Sequence, residues 1–328
     1  MMDYFIGIDL GGTNIKAVVV DREGTLIFKK QAPTMATLGI DHVIQQIAKL
    51  IIECSKYKSH IKGAGVTVPG VLNLQDGMVE LMPNFPHQWK GVRLKEKLEH
   101  ATSLPIYLLN DARAAAFGEK KFGSGRPYEH FVCMVIGTGV GGGIVSNGVL
   151  LMGSRGVAGE IGHQVVDPKG PECGCGNAGC LETMASGPAI SAEAIRYIKQ
   201  GIPTKMRDLV NGDLNQVTPE IVNEAAEHGD RSAITILENT AATICRAILN
   251  VIAILNPEAI ILGGGVGQSD FLINKITDQL HHKKILFPAS LGSVQIVKAH
   301  FNHLAGSIGA AAWTMDNLTR EQKELTIN

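Results

Sequence analysis

The sequence lacks the features that mark several large classes of protein. Its 30 lysines and arginines stand against 31 aspartates and glutamates, so the net charge is only −1. The basic residues are scattered, which argues against the basic face of a nucleic-acid-binding protein. No apolar run approaches the roughly 18 residues of a membrane-spanning helix. An acidic residue, Asp3, stands where a secretory signal would be positively charged. We therefore expect a cytoplasmic protein with no nucleic-acid or membrane partner.

Two common classes of nucleotide-binding protein are excluded as well. The Walker A pattern does not occur, which excludes a P-loop enzyme. Gly137, Gly139 and Gly142 satisfy the dinucleotide pattern G-x-G-x-x-G, and that fingerprint requires a helix directly after the turn. Residues 144–151 read instead as a strand and a turn, so the dinucleotide-binding interpretation is rejected.

The length and the order of predicted elements favour an α/β protein of two domains. A chain of 328 residues is long for one compact core. Three strands with glycine-rich turns open the sequence, followed by a helix over 41–56, with Asp41 as its predicted N-cap, and a strand over 64–68. A doubly wound domain would alternate strand and helix from the start. A strand, a glycine turn and a return strand occur at 6–20 and again at 131–145, which indicates an internally duplicated core.

Two later helices are predicted with different packing. A long helix runs from about Ser232 to Leu255, where Pro257 stops it. The last helix, Leu304 to Met315, carries many small residues that allow close packing: Ala305, Gly306, Ser307, Gly309, Ala310 and Ala311.

Three glycine-rich turns each follow a predicted strand. They are Asp9-Leu10-Gly11-Gly12-Thr13-Asn14, Gly137-Thr138-Gly139 and Gly263-Gly264-Gly265. Glycine lets backbone N–H groups approach phosphate closely because it has no Cβ. A single turn of this kind is more often structural than functional. Three of them, all at strand ends, favour a site for a nucleoside triphosphate.

A cluster of thiols and one imidazole predicts a metal centre. His163, Cys173, Cys175 and Cys180 fall within eighteen residues and form a Cys3His set, which structural zinc prefers in tetrahedral geometry. Because no ligand position is left for water, we expect a structural and not a catalytic ion. In a reducing compartment such a cluster favours metal over disulfides.

Three carboxylates are candidates for binding a ligand rich in hydroxyl groups. Asp111 follows Asn110 at the end of a predicted strand, and Glu160 lies three residues before His163, on one face if the segment is a helical turn. Glu182 follows Cys180 by two positions, so a metal-bound loop would hold it near His163. Taken singly, each acid is more often a solvated or capping residue.

With these motifs in view, the sequence resembles the repressor, open reading frame and kinase (ROK) family of sugar kinases over nearly its whole length. Gly159-Glu160-Ile161-Gly162-His163 is similar to the family's G-E-x-G-H signature. The segment from Cys173 to Glu182 is similar to its C-x-C-G-x-x-G-C-L-E signature. The resemblance implies a two-lobed, actin-like (ribonuclease H-like) fold that closes over ATP and a hexose. The expected lobes are residues 1–112 plus 303–328, and residues 113–302 with the zinc loop.

The resemblance also implies a role for each matching residue. Asp111 would be the catalytic base that accepts the proton of the C6 hydroxyl, with Mg²⁺ held through water near Asp9. The implied sugar contacts are Asn84, Asn110, Asp111, Glu160, His163 and Glu182. The implied ATP contacts are Asp9, Gly11, Gly12, Thr13, Lys16, Gly137, Thr138, Gly139, Gly264 and Gly265. One departure is the spacing from Asn84 to Trp89, which is slightly longer than in many family members.

The closely spaced C-G-C-G-x-x-G-C loop resembles that of the glucokinase branch, so glucose is the first expected substrate. A kinase for N-acetylmannosamine or N-acetylglucosamine is the alternative, and a non-catalytic sugar-sensing regulator is the second. The family's repressors carry an additional N-terminal winged helix, and because the first predicted strand begins by Phe5, we expect no such DNA-binding domain here. Polyphosphate stays open as a phosphate donor. Because family members are often dimers, a homodimer is expected.

Overall fold

The computed structural model describes residues 2–83, 85–281 and 294–327. Its strands are β1 (Tyr4–Leu10), β2 (Asn14–Val20), β3 (Leu26–Pro33), β4 (Ile61–Val68), β5 (Val71–Asn73), β6 (Met78–Leu81), β7 (Ile106–Asn110), β8 (Phe131–Ile136), β9 (Val140–Ser146), β10 (Val149–Leu150), β11 (Ala259–Gly263) and β12 (Gln295–Lys298).

Helices connect and cover these strands. They are α1 (Ile40–Ser55), α2 (Leu94–Thr102), α3 (Asp111–Phe122), α4 (Leu181–Ala185), α5 (Gly187–Lys199), α6 (Met206–Leu209), α7 (Pro219–Glu227), α8 (Arg231–Leu255), α9 (Gly264–Gly267), α10 (Asp270–His281) and α11 (Ala305–Ile327). Short 3-10 helices occur at Ala36–Leu38, Ile161–His163, Leu214–Gln216 and Asn302–Leu304.

The same strand order occurs in two five-stranded sheets. The first sheet has the order β3-β2-β1-β4-β7, and the second has the order β10-β9-β8-β11-β12. In the first, β1 and β2 form an antiparallel hairpin while β4 and β7 run parallel to β1. In the second, β11 and β12 run parallel to β8. The recurring order confirms the predicted duplication of the core.

Two helices with different surfaces cover the first sheet. On one face, α1 buries the apolar positions that recur at helical spacing, among them Val43, Ile47 and Ile51. On the other face, α11 approaches the strands so closely that a Cβ at Gly7 would overlap the carbonyl oxygen of Ser307. The small residues of the last helix therefore pack as the sequence predicted.

The described chain forms two compact units. The first comprises Met1–Glu129, Gly143–Gly159 and His303–Asn328, and the second comprises His130–Gly142 and Glu160–Asn302. The predicted lobes, a small one of residues 1–112 with 303–328 and a large one of residues 113–302, stay a prediction.

Most predicted elements lie close to their expected positions, with two corrections. Asp41 is not the N-cap of α1, because that position belongs to Gly39 and Asp41 lies in the first turn. The last helix does not end near Met315 but continues to Ile327. Its polar second half is held by side-chain contacts that a hydropathy pattern does not reveal. Lys121 pairs with Asp316 over 2.8 Å, and the Tyr107 hydroxyl donates to Glu321 over 2.7 Å.

Helix α8 has the length and apolar composition that a membrane-spanning helix needs. About 61% of its most apolar window is buried inside the protein, as expected for the core helix of a globular unit. Its buried positions include Ile236, Ile244 and Ile248.

Candidate active site and metal centre

The first group of predicted site residues lies at one edge of the first sheet. Strands β1, β4 and β7 run parallel, and Asp9 pairs in register with Thr67, which pairs with Leu109. Asp9 and the Asn110-Asp111 pair are therefore near the carboxyl ends of strands two places apart, about 10 Å by ordinary strand spacing. Ligands of open α/β sheets bind at such edges.

The turn between β1 and β2, predicted to bind phosphate, is tight and depends on glycine. A Cβ at Gly11 would lie 2.8 Å from the carbonyl oxygen of Asn14, so this position requires glycine. Gly12 has open space where a Cβ would be, and Thr13 beside it is exposed. The buried Thr34 hydroxyl donates to the carbonyl of Gly11 over 2.6 Å and holds the turn from β3.

Lys16 projects from β2 beside this turn. Its Nζ lies 3.8 Å from a carboxylate oxygen of Asp9 and donates to the carbonyl of His303 over 3.0 Å. The Lys16 side chain is 28% exposed, so part of it remains accessible to solvent. A cation in this position suits a phosphate group.

Asn110 and Asp111 form the junction between β7 and α3. Asn110 is the N-cap of α3, and its side-chain oxygen accepts from the backbone N–H groups of Ala112 and Arg113. Its amide nitrogen donates to the carbonyl of Gly70 over 3.2 Å. The half-buried Asp111 begins the helix, and its carboxylate accepts from the N–H of Ala112 over 2.9 Å. The cap thus holds Asp111 at a helix N-terminus, where the backbone dipoles favour a negative charge.

Asn84 lies outside the described residues. The described part of its loop contains Phe85 and Trp89, which are both buried and meet edge to face with ring centroids 6.0 Å apart.

In the second unit, two predicted glycine turns meet at the carboxyl ends of neighbouring strands. Gly263 pairs in register with Val135, so Gly264-Gly265 and Gly137-Thr138-Gly139 follow adjacent parallel strands. Gly264 has a φ of 79°, and a Cβ there would overlap the carbonyl oxygen of Ile136. Strand β9 follows the Gly137–Gly139 turn, which confirms that the G-x-G-x-x-G match does not open a helix.

A cavity of about 370 Å³ lies beside the Gly264-Gly265 turn. Gly265 and Val266 line one side of it, and α7 contributes Glu220, Glu224 and Glu227. The sequence did not point to α7 as part of a site, because its acidic residues look like an ordinary solvated helix face.

Glu160 and His163 flank a single 3-10 turn. Glu160 is the residue before the turn Ile161–His163, and the His163 N–H donates to the Glu160 carbonyl over 3.1 Å. Glu160 itself has non-helical dihedral angles (φ −69°, ψ 56°), so it precedes the helical turn, and a shared face for its side chain and that of His163 stays a prediction.

The predicted metal ligands converge. The ligand atoms of His163, Cys173, Cys175 and Cys180 all lie within 4.8 Å of one another. The Cys175 and Cys180 sulfurs are 3.6 Å apart, and the Cys173 sulfur is 3.6 Å from His163 Nδ1. An ion bound tetrahedrally by sulfur at about 2.3 Å spaces the sulfurs about 3.8 Å apart. The donor set and its spacing therefore fit a tetrahedral metal ion.

The loop around this cluster is shaped by backbone contacts. Gly179 has a φ of 69°, and a Cβ there would overlap the carbonyl oxygen of Asp167. The backbone N–H of Asn177 lowers the pKa of the exposed Cys175 to about 7, whereas burial raises the pKa of Cys180. A bound cation would favour the thiolate form of every cysteine in the set.

Glu182 connects the metal cluster to the Gly137–Gly139 turn. It lies in α4, directly after Cys180 and Leu181, and its carboxylate accepts from the Val140 N–H over 2.8 Å. In the same region the Gly187 N–H donates to the carbonyl of Gly137 over 2.8 Å. The second unit thus joins the turn, the cluster and the predicted sugar contact Glu182 in one network.

The chain is an α/β protein of the actin-like ATPase fold, with two sheets of the same strand order. Glycine turns follow its strands, and Asn110 caps the helix that begins with Asp111. The model of the ROK family matches residues 5–317, and the chain belongs to that family.

Individual relatives and structures agree with this assignment. The chain is 35% identical to a glucokinase of Thermotoga maritima over 311 residues, which is 94% of this chain and 96% of the relative. It is 31% identical to an N-acetylmannosamine kinase of Escherichia coli O139:H28 over 93% of this chain and 96% of the relative. A crystal structure of a ROK family glucokinase from Streptomyces griseus, in complex with glucose and AMPPNP, superposes with a TM-score of 0.82. That structure is 30% identical and covers 95% of this chain and 98% of its own.

Proposed function

We propose that this chain is an ATP-dependent hexose kinase that phosphorylates the C6 hydroxyl, with glucose as its first substrate. The similarity to the T. maritima glucokinase carries this proposal, because it spans almost the whole of both chains. The S. griseus structure supports it, since that protein was crystallised with a sugar and an ATP analogue together.

Asp111 is proposed as the catalytic base. Its carboxylate takes the proton of the C6 hydroxyl while the oxygen attacks the γ-phosphorus. The new C6 oxygen–phosphorus bond forms as the bond from the γ-phosphorus to the β–γ bridging oxygen breaks, and ADP leaves. The Asn110 cap fixes the start of α3 and so keeps the Asp111 carboxylate oriented. Loss of a positioned base typically costs ~10²–10⁴-fold in rate.

The remaining sugar contacts are proposed from the resemblance to the family. Asn110, Glu160, His163 and Glu182 are assigned to the hydroxyl groups, and Asn84 completes the proposal from outside the described residues. His163 presents Nδ1 to the Cys173 sulfur, so Nε2 is the nitrogen assigned to the sugar.

The nucleotide is assigned to the three glycine turns. Gly11, Gly12, Thr13 and Lys16 are proposed for the phosphates together with Gly137, Thr138 and Gly139, and Gly264 and Gly265 for the adenosine. Mg²⁺ near Asp9 would neutralise charge on the phosphates when bound. The half-buried Asp9 carboxylate, 19% exposed, is an oxygen ligand of the kind that Mg²⁺ prefers, directly or through water.

The cavity beside Gly265 favours a nucleotide over polyphosphate as the donor. Glu220, Glu224 and Glu227 line it, and three carboxylates repel a long polyanion more than a neutral nucleoside. Zinc is the metal proposed for His163, Cys173, Cys175 and Cys180, because a closed Cys3His set of this spacing suits it. Its role is to order the loop that carries His163 and precedes Glu182.

An N-acetylmannosamine kinase is the second candidate, favoured by the E. coli relatives. A non-catalytic sugar-sensing regulator is the third. A homodimer, a cytoplasmic location and the lack of a nucleic-acid or membrane partner remain predictions.

A coupled assay of ADP release tests the proposal. The purified chain is supplied with Mg-ATP and glucose, mannose, fructose, N-acetylglucosamine or N-acetylmannosamine in turn, and then with polyphosphate in place of ATP. Turnover on glucose above the other sugars supports the first candidate. A preference for an N-acetylated sugar replaces the substrate and keeps the mechanism. Failure on every sugar, with a folded and metal-loaded chain, contradicts the kinase proposal and favours the regulator.

A further inference from the structure

The Asp9 carboxylate is surrounded by groups from three other elements of the first unit. Asp9 lies near the end of β1, beside the turn proposed to bind phosphate. Two neighbouring strands and the first turn of α11 surround its side chain with Thr67, Lys16 and Gly306.

Thr67 makes the shortest of these contacts. Its position on β4 pairs in parallel register with Asp9 on β1. The side chain is fully buried, and its hydroxyl donates to Asp9 Oδ1 over 2.7 Å. A threonine inside the otherwise apolar strand Ala64–Val68 is a polar group buried at the cost of its hydration. Here that group has a charged partner, and hydrogen bonds to charged groups are stronger than neutral ones.

The other two neighbours leave the carboxylate little freedom. Lys16 Nζ approaches Oδ2, the other oxygen, to 3.8 Å. A Cβ at Gly306 would lie 2.7 Å from Oδ1 and 2.9 Å from Cγ, so α11 passes directly over the carboxylate. Thr67 therefore holds Oδ1 by a hydrogen bond, Lys16 lies beside Oδ2, and α11 limits the space over the whole carboxylate.

We propose that Thr67 is a positioning residue, whose hydroxyl holds the Asp9 carboxylate in the orientation that binds the magnesium–nucleotide complex. This inference rests on the proposed function, because it assigns Asp9 to Mg²⁺. Thr67 does not touch the metal or the nucleotide itself. Its hydroxyl occupies one lone pair of Asp9 Oδ1. The other lone pairs of the carboxylate are thereby directed toward the magnesium–nucleotide complex. Partners of this kind typically change metal affinity 10–100-fold when they are removed.

The central variant is Thr67→Val, which keeps the shape and the β-branch of threonine and removes the hydroxyl. Thr67→Ser keeps the hydroxyl and removes the methyl group. Thr314→Val is the matched control, because Thr314 is equally buried and its hydroxyl donates to the carbonyl of Ala310 within α11, over 3.0 Å. Circular dichroism and thermal melting verify the fold of each variant.

The measurement is ADP binding by calorimetry at stepped Mg²⁺ concentrations, without turnover, together with glucose binding. Thr67→Val is expected to need about ten-fold more Mg²⁺ for half-maximal enhancement of ADP affinity. Thr67→Ser and Thr314→Val are expected to match the wild type, and glucose affinity to stay unchanged in all three. In an Asp9→Asn background, Thr67→Val should have no further effect on the Mg²⁺ dependence.

Equal Mg²⁺ midpoints in the wild type and Thr67→Val overturn the proposal. The same loss in Thr67→Ser as in Thr67→Val also overturns it, because shape and not the hydroxyl would then matter. If Thr67→Val does not fold, the comparison of Thr67→Ala with Thr67→Ser decides in the same way. If ADP binding by the wild type does not depend on Mg²⁺, the proposed nucleotide chemistry is itself overturned. If ADP binding depends on Mg²⁺ but is unchanged in Thr67→Val, only the role of Thr67 is overturned.

Discussion

The carboxylate of Glu182 accepts a hydrogen bond from the backbone N–H of Val140 over 2.8 Å. Val140 follows the Gly137–Gly139 turn, and Glu182 follows the metal-ligand candidate Cys180 by two positions. A Cβ at Gly139 would overlap the same carboxylate. A residue assigned to the sugar by its signature is therefore also the support of a turn assigned to phosphate.

Substitutions at either end of this contact should weaken nucleotide binding. Glu182→Ala removes the acceptor of the Val140 N–H, and Gly139→Ala displaces it, so each is expected to reduce ADP affinity about ten-fold. Glu182→Gln keeps an oxygen acceptor and should retain most of the affinity. Calorimetry with ADP and Mg²⁺, in the absence of sugar, makes the comparison. Because both alanine variants disrupt the same contact, the double variant should lose little more ADP affinity than either single variant. Additive losses of ADP affinity would show that the two positions act separately.

Removal of the metal should unfold the loop that carries His163. We expect the wild-type chain to contain about one zinc ion, and Cys180→Ser to lose both the metal and several degrees of melting temperature. Cys54→Ala is the control, since Cys54 is buried in the core of the first sheet and lies outside the cluster. Elemental analysis and thermal melting measure the two effects. Full zinc content in Cys180→Ser, or an unchanged melting temperature after chelation, would argue against the centre.

Asp230 should make the second unit sensitive to acid. Burial acts to raise the pKa of Asp230, but hydrogen bonds from the Ala233 and Lys205 N–H groups and the Thr204 hydroxyl outweigh it and hold the pKa below the usual 3.8. The folded form therefore binds this proton less readily than the unfolded form does. Its contribution to stability is full above pH 3.8 and is lost as the pH falls below that value toward the folded pKa.

The Asp230→Ala variant measures this contribution. Asp230 is the N-cap of α8 and also anchors residues 204 and 205, so its loss at neutral pH should cost about 1–2 kcal/mol of unfolding free energy. Asp230→Asn, which keeps an acceptor oxygen, should cost less. Denaturant unfolding at pH 7 and at pH 3 makes the comparison, and the gap between wild type and Asp230→Ala should narrow at the lower pH. A gap that stays constant would mean that the carboxylate does not titrate differently in the folded chain.

Much of this architecture follows from the sequence because its signals are local. Glycine turns after apolar strands mark the three loops, and the Cys3His spacing marks the cluster without knowledge of the fold. The hairpins at 6–20 and 131–145 likewise reveal the duplicated core. The extent of α11 was missed because Asp316 and Glu321 are held by Lys121 and Tyr107, which are distant in sequence.

The supporting contacts of the site are the least predictable part. Thr67 is recognisable only as one polar residue in an apolar strand, and its partner Asp9 is set by strand register 58 positions away. The Glu182–Val140 contact depends on α4 meeting the turn after β8, which no local pattern encodes. The family resemblance implies that Asn110 contacts the sugar, and only the structure reveals that it also caps α3.

The most direct test of the account is the rate of glucose-dependent ADP formation by Asp111→Asn against the wild type, with glucose affinity measured by calorimetry on both. Asparagine is nearly isosteric with aspartate and cannot accept the C6 proton. If Asp111 is the base, kcat falls ~10²–10⁴-fold in Asp111→Asn, with an unchanged melting temperature and near wild-type glucose affinity. An unchanged kcat on glucose would contradict Asp111 as the base and with it the proposed mechanism.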